Sequence, residues 1–313
     1  MISMQQPDRS VNPHLVSSFG ILLKQWRSQR GFSQLELSLI SQVSQRHISF
    51  LESGRANPSR EMVLQLATVL EMPLRQQNLM LTTAGFAPIH TETDLAAPEM
   101  ISIRKALDFM LLKQEPYPAF AIDRYWNLLL TNDAANRLLA AFLDLETLST
   151  EFYQDGKLNL LRVTFHPQGL RPFVVNWDDV AGQLLRRVQR EAQDSIGKVD
   201  ARNERLCNRT GSGTVNEPKD ISVKLFDELM GYPGVAELWQ IANRTVQNTL
   251  LLAVHLKREQ LELQFFSTIA TLGTATDITL QELRIECMFP ADEATEQNWQ
   301  QLIISPIAHT YPK

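Results

Sequence analysis

One run of residues constrains this chain more than any other: Phe32 to Ser59, FSQLELSLISQVSQRHISFLESGRANPS. Its punctuation allows few folds. Ser33 stands where a helix N-cap belongs, and Glu36 completes the register of a capping box. Leu35, Leu37 and Ile40 are the apolar positions of this helix. A short break at Ser41-Gln42-Val43 separates it from Ser44, which caps a further helix predicted from Gln45 to about Ser53 and stopped by Gly54. Asn57-Pro58-Ser59 forms a turn, with Ser59 as the next cap. Around this core the sequence predicts a first helix over Phe19 to Arg30 ending at Gly31, a fourth from Arg60 to about Leu70 and a fifth from Pro73 to near Gly85. Two short helices joined by so brief a turn, inside a helical bundle, make a helix-turn-helix.

The third helix is amphipathic in a particular way. Ile48 and Leu51 face the core, which turns Gln45, Arg46, Ser49 and Phe50 outward together. Arginine matches the edge of guanine and glutamine that of adenine. Gln34 and Ser33 open the preceding helix, whose free backbone N–H groups can meet a phosphate. Ser44 and Ser53 at the ends of the third helix, with Arg55 and Asn57 beyond it, complete the expected DNA-contacting set. His47 either touches phosphate or stays solvated. Phe50 either touches a thymine methyl or packs against Arg46 or Leu39. The segment resembles the Xre/Cro-type helix-turn-helix of phage-repressor-like regulators over about Phe19 to Leu70. Ser33-Gln34, Glu36-Leu37, Val43-Ser44, Ile48, Leu51-Glu52, Gly54 and Pro58-Ser59 carry the likeness. The resemblance implies an ion pair between Arg27 and Glu52 that fixes the first helix against the third.

Charge supports this reading only when it is divided. The whole chain of 313 residues has a formal net charge of −5, which alone argues against a nucleic-acid partner. Residues 1–90 hold eight Lys/Arg against five Asp/Glu, a formal +3, leaving −8 for the remainder. The basic excess sits on the part that would meet phosphate. The two cysteines, Cys207 and Cys287, exclude a disulfide scaffold and fit a reducing compartment, the cytoplasm. Met1 to Ser10 lacks a basic region followed by an apolar run, so no signal peptide is expected, and no apolar stretch is long enough to span a membrane.

Beyond a polar joint at Thr91–Pro98, Glu99 to about Lys113 reads as an amphipathic linking helix through Met100, Ile103, Leu107, Met110 and Leu111. After Pro116-Tyr117-Pro118 the pattern changes. Ala119–Ile122 and Trp126–Thr131 read as strands joined at Asp123-Arg124, Asn132 caps a helix through Leu138 and Leu139, and a long helix runs from Trp177 to about Gln193. Lys198–Asp220 is a polar insertion centred on Gly211-Ser212-Gly213. Three alternating runs follow, on Leu250, Leu252, Val254 and Leu256, on Leu261, Leu263 and Phe265, and on Leu283, Ile285, Cys287 and Phe289. Tight connections at Lys257–Gln260 and Gly273–Asp277 make them an antiparallel meander with one buried face. The expected fold is α+β: a five-helix helix-turn-helix domain over 19–90 after a flexible tail (1–18), a linking helix (91–115), and a PAS-like domain (116–313) with a five-stranded antiparallel sheet and helices on one face.

The whole chain, from about residue 19 to 302, is similar to the MmyB-like family, in which an Xre helix-turn-helix precedes a PAS-related ligand-binding domain. The carrying segments are Arg46-His47-Ile48-Ser49, Glu52-Ser53-Gly54-Arg55, Ala84-Gly85-Phe86-Ala87-Pro88, Pro116-Tyr117-Pro118-Ala119, Asp123-Arg124-Tyr125-Trp126-Asn127, Asn132, Arg171-Pro172, Asn176-Trp177, Thr279 to Leu283 and Phe289 to Asp292. The insertion at Lys198–Asp220 departs from the family pattern. The resemblance implies transcription regulation by binding double-stranded operator DNA, with a small apolar, fatty-acid-like ligand. Phe120, Ile122, Trp126, Leu128, Phe165, Phe173 and Trp177 either line an apolar pocket or form ordinary core. Arg171 either meets a ligand carboxylate or pairs with Asp178 or Asp179. Asn176 is placed to cap the helix that follows it.

Other chemistry finds little support. Ser102-Ile103-Arg104-Lys105 and Ser195-Ile196-Gly197-Lys198 fit S-x-x-K, but the companion catalytic motifs are missing. The six histidines show no metal-ligand spacing, so no metal, cofactor or catalytic residue is expected. His166 before Pro167 reads as structural, Cys287 as a buried small hydrophobe and Cys207 as exposed. A single small domain buries little DNA surface, so specific binding calls for a homodimer on a two-fold operator. The helix Glu99–Lys113 or the sheet would supply the contact. Two alternatives stand beside this reading: an enzyme acting on a small apolar substrate with a DNA-targeting module, and a constitutive repressor whose C-terminal domain is purely structural.

Overall fold

The computed structural model describes residues 13–145, 147–195, 221–242, 253–273 and 275–304. The insertion expected at 198–220, Cys207, Lys198, Leu250 and Leu252 lie outside the described residues. The chain divides into two compact units, one dominated by residues up to Glu92 and the other by residues from Thr93 onward.

The first unit consists of α1 (Pro13–Gln29), α2 (Gln34–Ser41), α3 (Gln45–Glu52), α4 (Arg60–Val69) and α5 (Leu74–Thr83). α1 starts at Pro13, inside the stretch read as a tail, because proline is pre-set for the first helical position. The caps form as the sequence predicts. Ser33 and Glu36 make the capping box of α2, and Ser44 and Ser59 accept from the His47 and Met62 N–H groups. The turn before α3 uses Gln42 in the left-handed region and buries Val43. One expectation fails. Of the three apolar positions assigned to α2, only Leu37 is buried, whereas Leu35 and Ile40 are exposed. An eight-residue helix offers one narrow inward face, and Leu37 and Ser41 fill it.

Leu37 joins Phe19, Leu23 and Trp26 of α1, Ile48 and Leu51 of α3, and Val63, Leu66, Met80 and Leu81 in one core. α1 and α3 cross at Gly20. A Cβ there would stand 2.5 Å from the Leu51 carbonyl oxygen and 2.7 Å from that of Glu52, so the crossing admits no side chain. Gly54, just past the Ser53 C-cap of α3, has φ of 73°. The Gly54 N–H donates to the Leu51 carbonyl at 3.2 Å and the Arg55 N–H to the Phe50 carbonyl at 2.8 Å, a Schellman closure that turns the chain at Arg55.

The second unit is built on an antiparallel sheet of β1 (Ala119–Ile122), β2 (Leu128–Thr131), β5 (Ala253–Arg258), β6 (Leu261–Thr271) and β7 (Arg284–Pro290), in the order β2-β1-β7-β6-β5. β3 (Tyr153–Gln154) and β4 (Lys157–Leu158) form a small separate ladder. The expected strand pair and meander thus join through β1 and β7, with Ala119 opposite Cys287 and Ala121 opposite Ile285.

Helices do not keep to one face of this sheet. α6 (Ile101–Lys113) packs Leu107 and Leu111 on Ala119, Ala121 and Ile285. Phe120 and Ile122, of opposite parity, meet α7 (Asp133–Phe142), α8 (Leu160–Phe165), α9 (Trp177–Ser195), α10 (Ile221–Met230) and α11 (Val235–Ala242) in a second, larger cluster. Strand alternation dictates this outcome, because β1 is apolar on both faces. Cys287 is half-buried on the α6 side, and burial pushes its thiol pKa up.

Local corrections follow the same logic. The β1–β2 connection extends to Asn127, and Trp126 leaves the strand with φ of 67°. The Asp123 carboxylate holds the turn by accepting from the Tyr125 and Asn127 N–H groups and the Asn127 amide. Asn132 caps α7 and also bonds the Ala119 N–H and the Leu111 and Tyr117 carbonyls. The β6–β7 connection, read as tight, carries a short helix, α12 (Ile278–Glu282). The Asn176 side chain is engaged by β5: its oxygen accepts from the His255 N–H at 3.0 Å and its amide donates to Ala253 at 2.7 Å. With the Val175 N–H on the His255 carbonyl, this segment covers the outer edge of β5. α13 (Glu293–Ile304) closes the unit, with Trp299 edge-on to Phe265 and its indole N–H on the Pro116 carbonyl. Among the described residues no helix is long and apolar enough to cross a membrane.

Candidate nucleic-acid interface and ligand cleft

The helix-turn-helix is held by one ion pair. Arg27 of α1 meets Glu52 of α3 through two bonds, 2.6 and 3.0 Å, and donates a third to the Phe32 carbonyl at 2.7 Å. Both partners are nearly buried, with side-chain exposures of 11% and 5%. The family resemblance implied this pair. It also captures Gln34, whose amide donates to Glu52 at 2.8 Å. Gln34, expected on the DNA backbone, is half-buried and braces the ion pair through one amide N–H. Ser44 and Ser53 are similarly engaged: the Ser44 hydroxyl caps α3, and the Ser53 hydroxyl donates to the Phe50 carbonyl at 3.2 Å.

What α3 turns outward is simpler. Gln45, Arg46, Arg55 and Asn57 are exposed, while Ser49, Phe50 and His47 are half-buried. The Phe50 ring carries two guanidiniums, Arg46 at 5.3 Å and Arg55 at 5.9 Å from its centroid. Of the two readings of Phe50, packing against Arg46 is the one observed; Arg55 was not foreseen as its partner. Aromatic support of this kind restrains long side chains without neutralising them. Neither arginine has a carboxylate partner among the described residues. The acids of this unit are occupied elsewhere. Glu52 holds Arg27, Glu92 holds Arg75, and Glu36 and Glu61 serve helix caps whose hydrogen bonds hold their carboxyl pKa values low.

The expected ligand residues separate into two groups. Phe120, Ile122, Trp126 and Phe165 are buried in the large cluster, with Leu128 and Phe173 half-buried against it. Trp126 is clamped: its indole N–H donates to Glu191 at 3.0 Å, with Arg187 4.4 Å from its ring. Arg284, also beside the ring, lies 2.7 Å from Glu191. Arg171 and Trp177 instead line an open cleft of about 480 Å³ with Pro167, Pro172 and Pro233. Arg171 stacks over Trp177 at 4.9 Å and donates to the Pro233 carbonyl at 2.6 Å. Its expected alternative partners, Asp178 and Asp179, are not the groups it bonds. The three prolines were missed, since nothing local ties Pro233 to an arginine 62 residues away. His166 is structural, packed between Phe152 and Tyr232 with Nδ1 accepting from the Gln168 N–H. Among the described residues no cluster of His, Cys, Asp and Glu is arranged to hold a metal.

Comparison with known protein families matches residues 23–77 to a helix-turn-helix and residues 103–209 to the MmyB-like transcription regulator ligand binding domain. No curated protein matches the chain. The fold and these matches define a DNA-binding transcription regulator with a ligand-binding domain. The two matches together are the combination found in MmyB-like regulators with an Xre-type helix-turn-helix, and they support that family for this chain. The second match begins at residue 103, within α6.

Proposed function

We propose that this protein is a cytoplasmic, ligand-responsive regulator that binds operator DNA as a homodimer and takes up a small apolar molecule, of fatty-acid type, in its second unit. The observation that carries the reading is the pair of unpaired guanidiniums over Phe50. α3 enters the major groove, Arg46 and Gln45 read bases, Ser49 lies beside them, and Arg55 and Asn57 meet the sugar-phosphate backbone. Phe50 holds the two guanidiniums in place and does not itself read a thymine methyl. Ser44, Ser53 and Gln34 brace α3 through their own hydrogen bonds at the edge of this surface. The open cleft is of a size that suits a small ligand, with Arg171 facing its polar end and Trp177 its chain. Ligand uptake biases the arrangement of the two DNA-binding heads.

Two measurements test this. Selection from random duplexes should return a two-fold sequence, and recovery of unrelated sequences only would sink the base-reading role. Mass spectrometry of the denatured protein should release an intact lipid, and a chemically altered product would revive an enzymatic role. A second reading, a constitutive regulator with a structural second unit, draws support from the close packing of Phe120, Ile122, Trp126 and Phe165 in the core. Operator binding that responds to no class of lipid would favour it.

A further inference from the structure

α6 has two apolar faces, and only one is covered. Leu107 and Leu111 lie under the sheet, each at most 2% exposed. On the opposite side Ile101, Phe109 and Leu112 are 46%, 60% and 64% exposed. Burial on the sheet accounts for the first stripe and leaves the second without a purpose inside the unit.

The exposed stripe has an internal order. Residues 101, 105, 108 and 112 are spaced four, three and four apart, the repeat of a coiled-coil seam. Its members are Ile101, Lys105, Asp108 and Leu112, all exposed. Apolar residues hold the two ends and opposite charges the two central positions. Neither Lys105 nor Asp108 has an ion-pair partner among the described residues. Phe109 and Lys113 flank the seam, with the ammonium 5.4 Å from the ring centroid.

We propose that this seam is the contact with a second copy of the chain, packed antiparallel to the first. The proposal rests on the homodimer reading above and gives it a surface. Reversing one helix about the midpoint of Lys105 and Asp108 sets Ile101 against Leu112 of the partner subunit and Lys105 against Asp108 of the partner subunit. The two-fold axis repeats both contacts. A parallel arrangement sets lysine against lysine and aspartate against aspartate. The charges therefore select the antiparallel register, as polar residues in a seam do. One helix pair covers less than the roughly 1,600 Å² of a standard stable interface, so the free dimer is weak and an operator with two half-sites reinforces it.

Sedimentation equilibrium on the full chain without DNA tests this. The wild-type protein is expected to dimerise with a dissociation constant at or below about 100 µM, as befits a small interface. Lys105→Glu and Asp108→Lys should each weaken the dimer by about ten-fold or more, and the double exchange should restore it. Circular dichroism melts should be unchanged in all three, because both positions are exposed. A monomeric wild type, a dimer indifferent to the single exchanges, or a double exchange that stays monomeric would each overturn the proposal. DNA binding is scored separately. A two-fold operator bound equally by wild type and single variants would leave the DNA reading standing and remove this interface. A dimer that obeys the charge exchange but binds no selected duplex would do the reverse.

Discussion

The two units spend their charges in opposite ways. In the helix-turn-helix unit the described acids are engaged, either with Arg27, Arg30 and Arg75 or at helix caps, and Arg46 and Arg55 are left facing outward. In the ligand-binding unit the arginines are the engaged partners. Arg124 bonds Glu282 at 3.0 Å, Arg162 bonds Glu228 at 2.8 Å, and Arg187 and Arg284 share Glu191 around the Trp126 ring. A residue type therefore carries no fixed role here. An arginine contributes to recognition where its neighbourhood has used up its carboxylates, and to architecture where it has not. The division of −5 into +3 and −8 at residue 90 is the coarse trace of this arrangement.

The largest effect is expected where α1 and α3 pack together. Gly20→Val should destabilise the first unit by roughly 3 kcal/mol or more, because the new atoms meet backbone and not a flexible side chain. Calorimetry should then show the first unit melting early with the second unchanged; an unaltered melt would mean that α1 and α3 do not cross as described. Next in size, Glu52→Ala should cost about 3 kcal/mol by leaving Arg27 buried without its partner. Loss of DNA binding without loss of stability would instead make Glu52 a contact residue.

The paired variants Arg46→Ala and Arg284→Met sharpen the contrast directly. Arg46→Ala should weaken operator binding by roughly 1–3 kcal/mol and relax preference at one position per half-site, with stability unchanged. Equal losses on operator and random DNA would assign it to phosphate. Arg284→Met should do the opposite, lowering the stability of the second unit by about 1–2 kcal/mol with operator affinity retained. A DNA-binding defect there would contradict its architectural role.

The smallest effect concerns pH. Burial holds the His90 pKa below its ordinary value of 6.5, so the folded first unit prefers the neutral ring. That preference stabilises the unit above pH 6.5 and fades as pH falls through the lowered folded value. The corresponding groups in the second unit are Glu262, held low by hydrogen bonds from Lys257 and His255, and Asp292, held low by Thr295. Their contribution is present above the carboxylate range and lost only below it. Mild acidification should therefore lower the first transition before the second, and His90→Gln should remove the difference near pH 6. A second transition that moved first would contradict this assignment.

Much of the first unit was legible because its signals are short-range. Ser33, Glu36, Ser44, Ser59 and Gly54 act on neighbours within a turn, so sequence and structure coincide there. Where reading failed, the cause was distance or parity. Leu35 and Ile40 are apolar but lie off the one inward face of α2. Gln34 has the right place for a phosphate contact, and its added bond to a glutamate 18 residues on is invisible to any local signal. Asn176 looks like a cap and is engaged by a strand 77 residues away. The ligand residues divided for the same reason: side chains of β1 point into the core by alternation, while the cleft depends on a proline from beyond α10.

Local signals in the chain sufficed for the helix-turn-helix, for the strand pair and meander of the sheet, and for the outward face of α3. These follow from hydrogen bonds within a turn and from periods of two and 3.6 residues, which need no distant partner. Only the tertiary structure decided which arginines stay unpaired, which face of the sheet α6 covers, and that its second apolar stripe remains open. Those outcomes depend on contacts such as Arg124 with Glu282, 158 residues apart, and Leu107 and Leu111 with Ile285, which exist only once the chain has closed on itself.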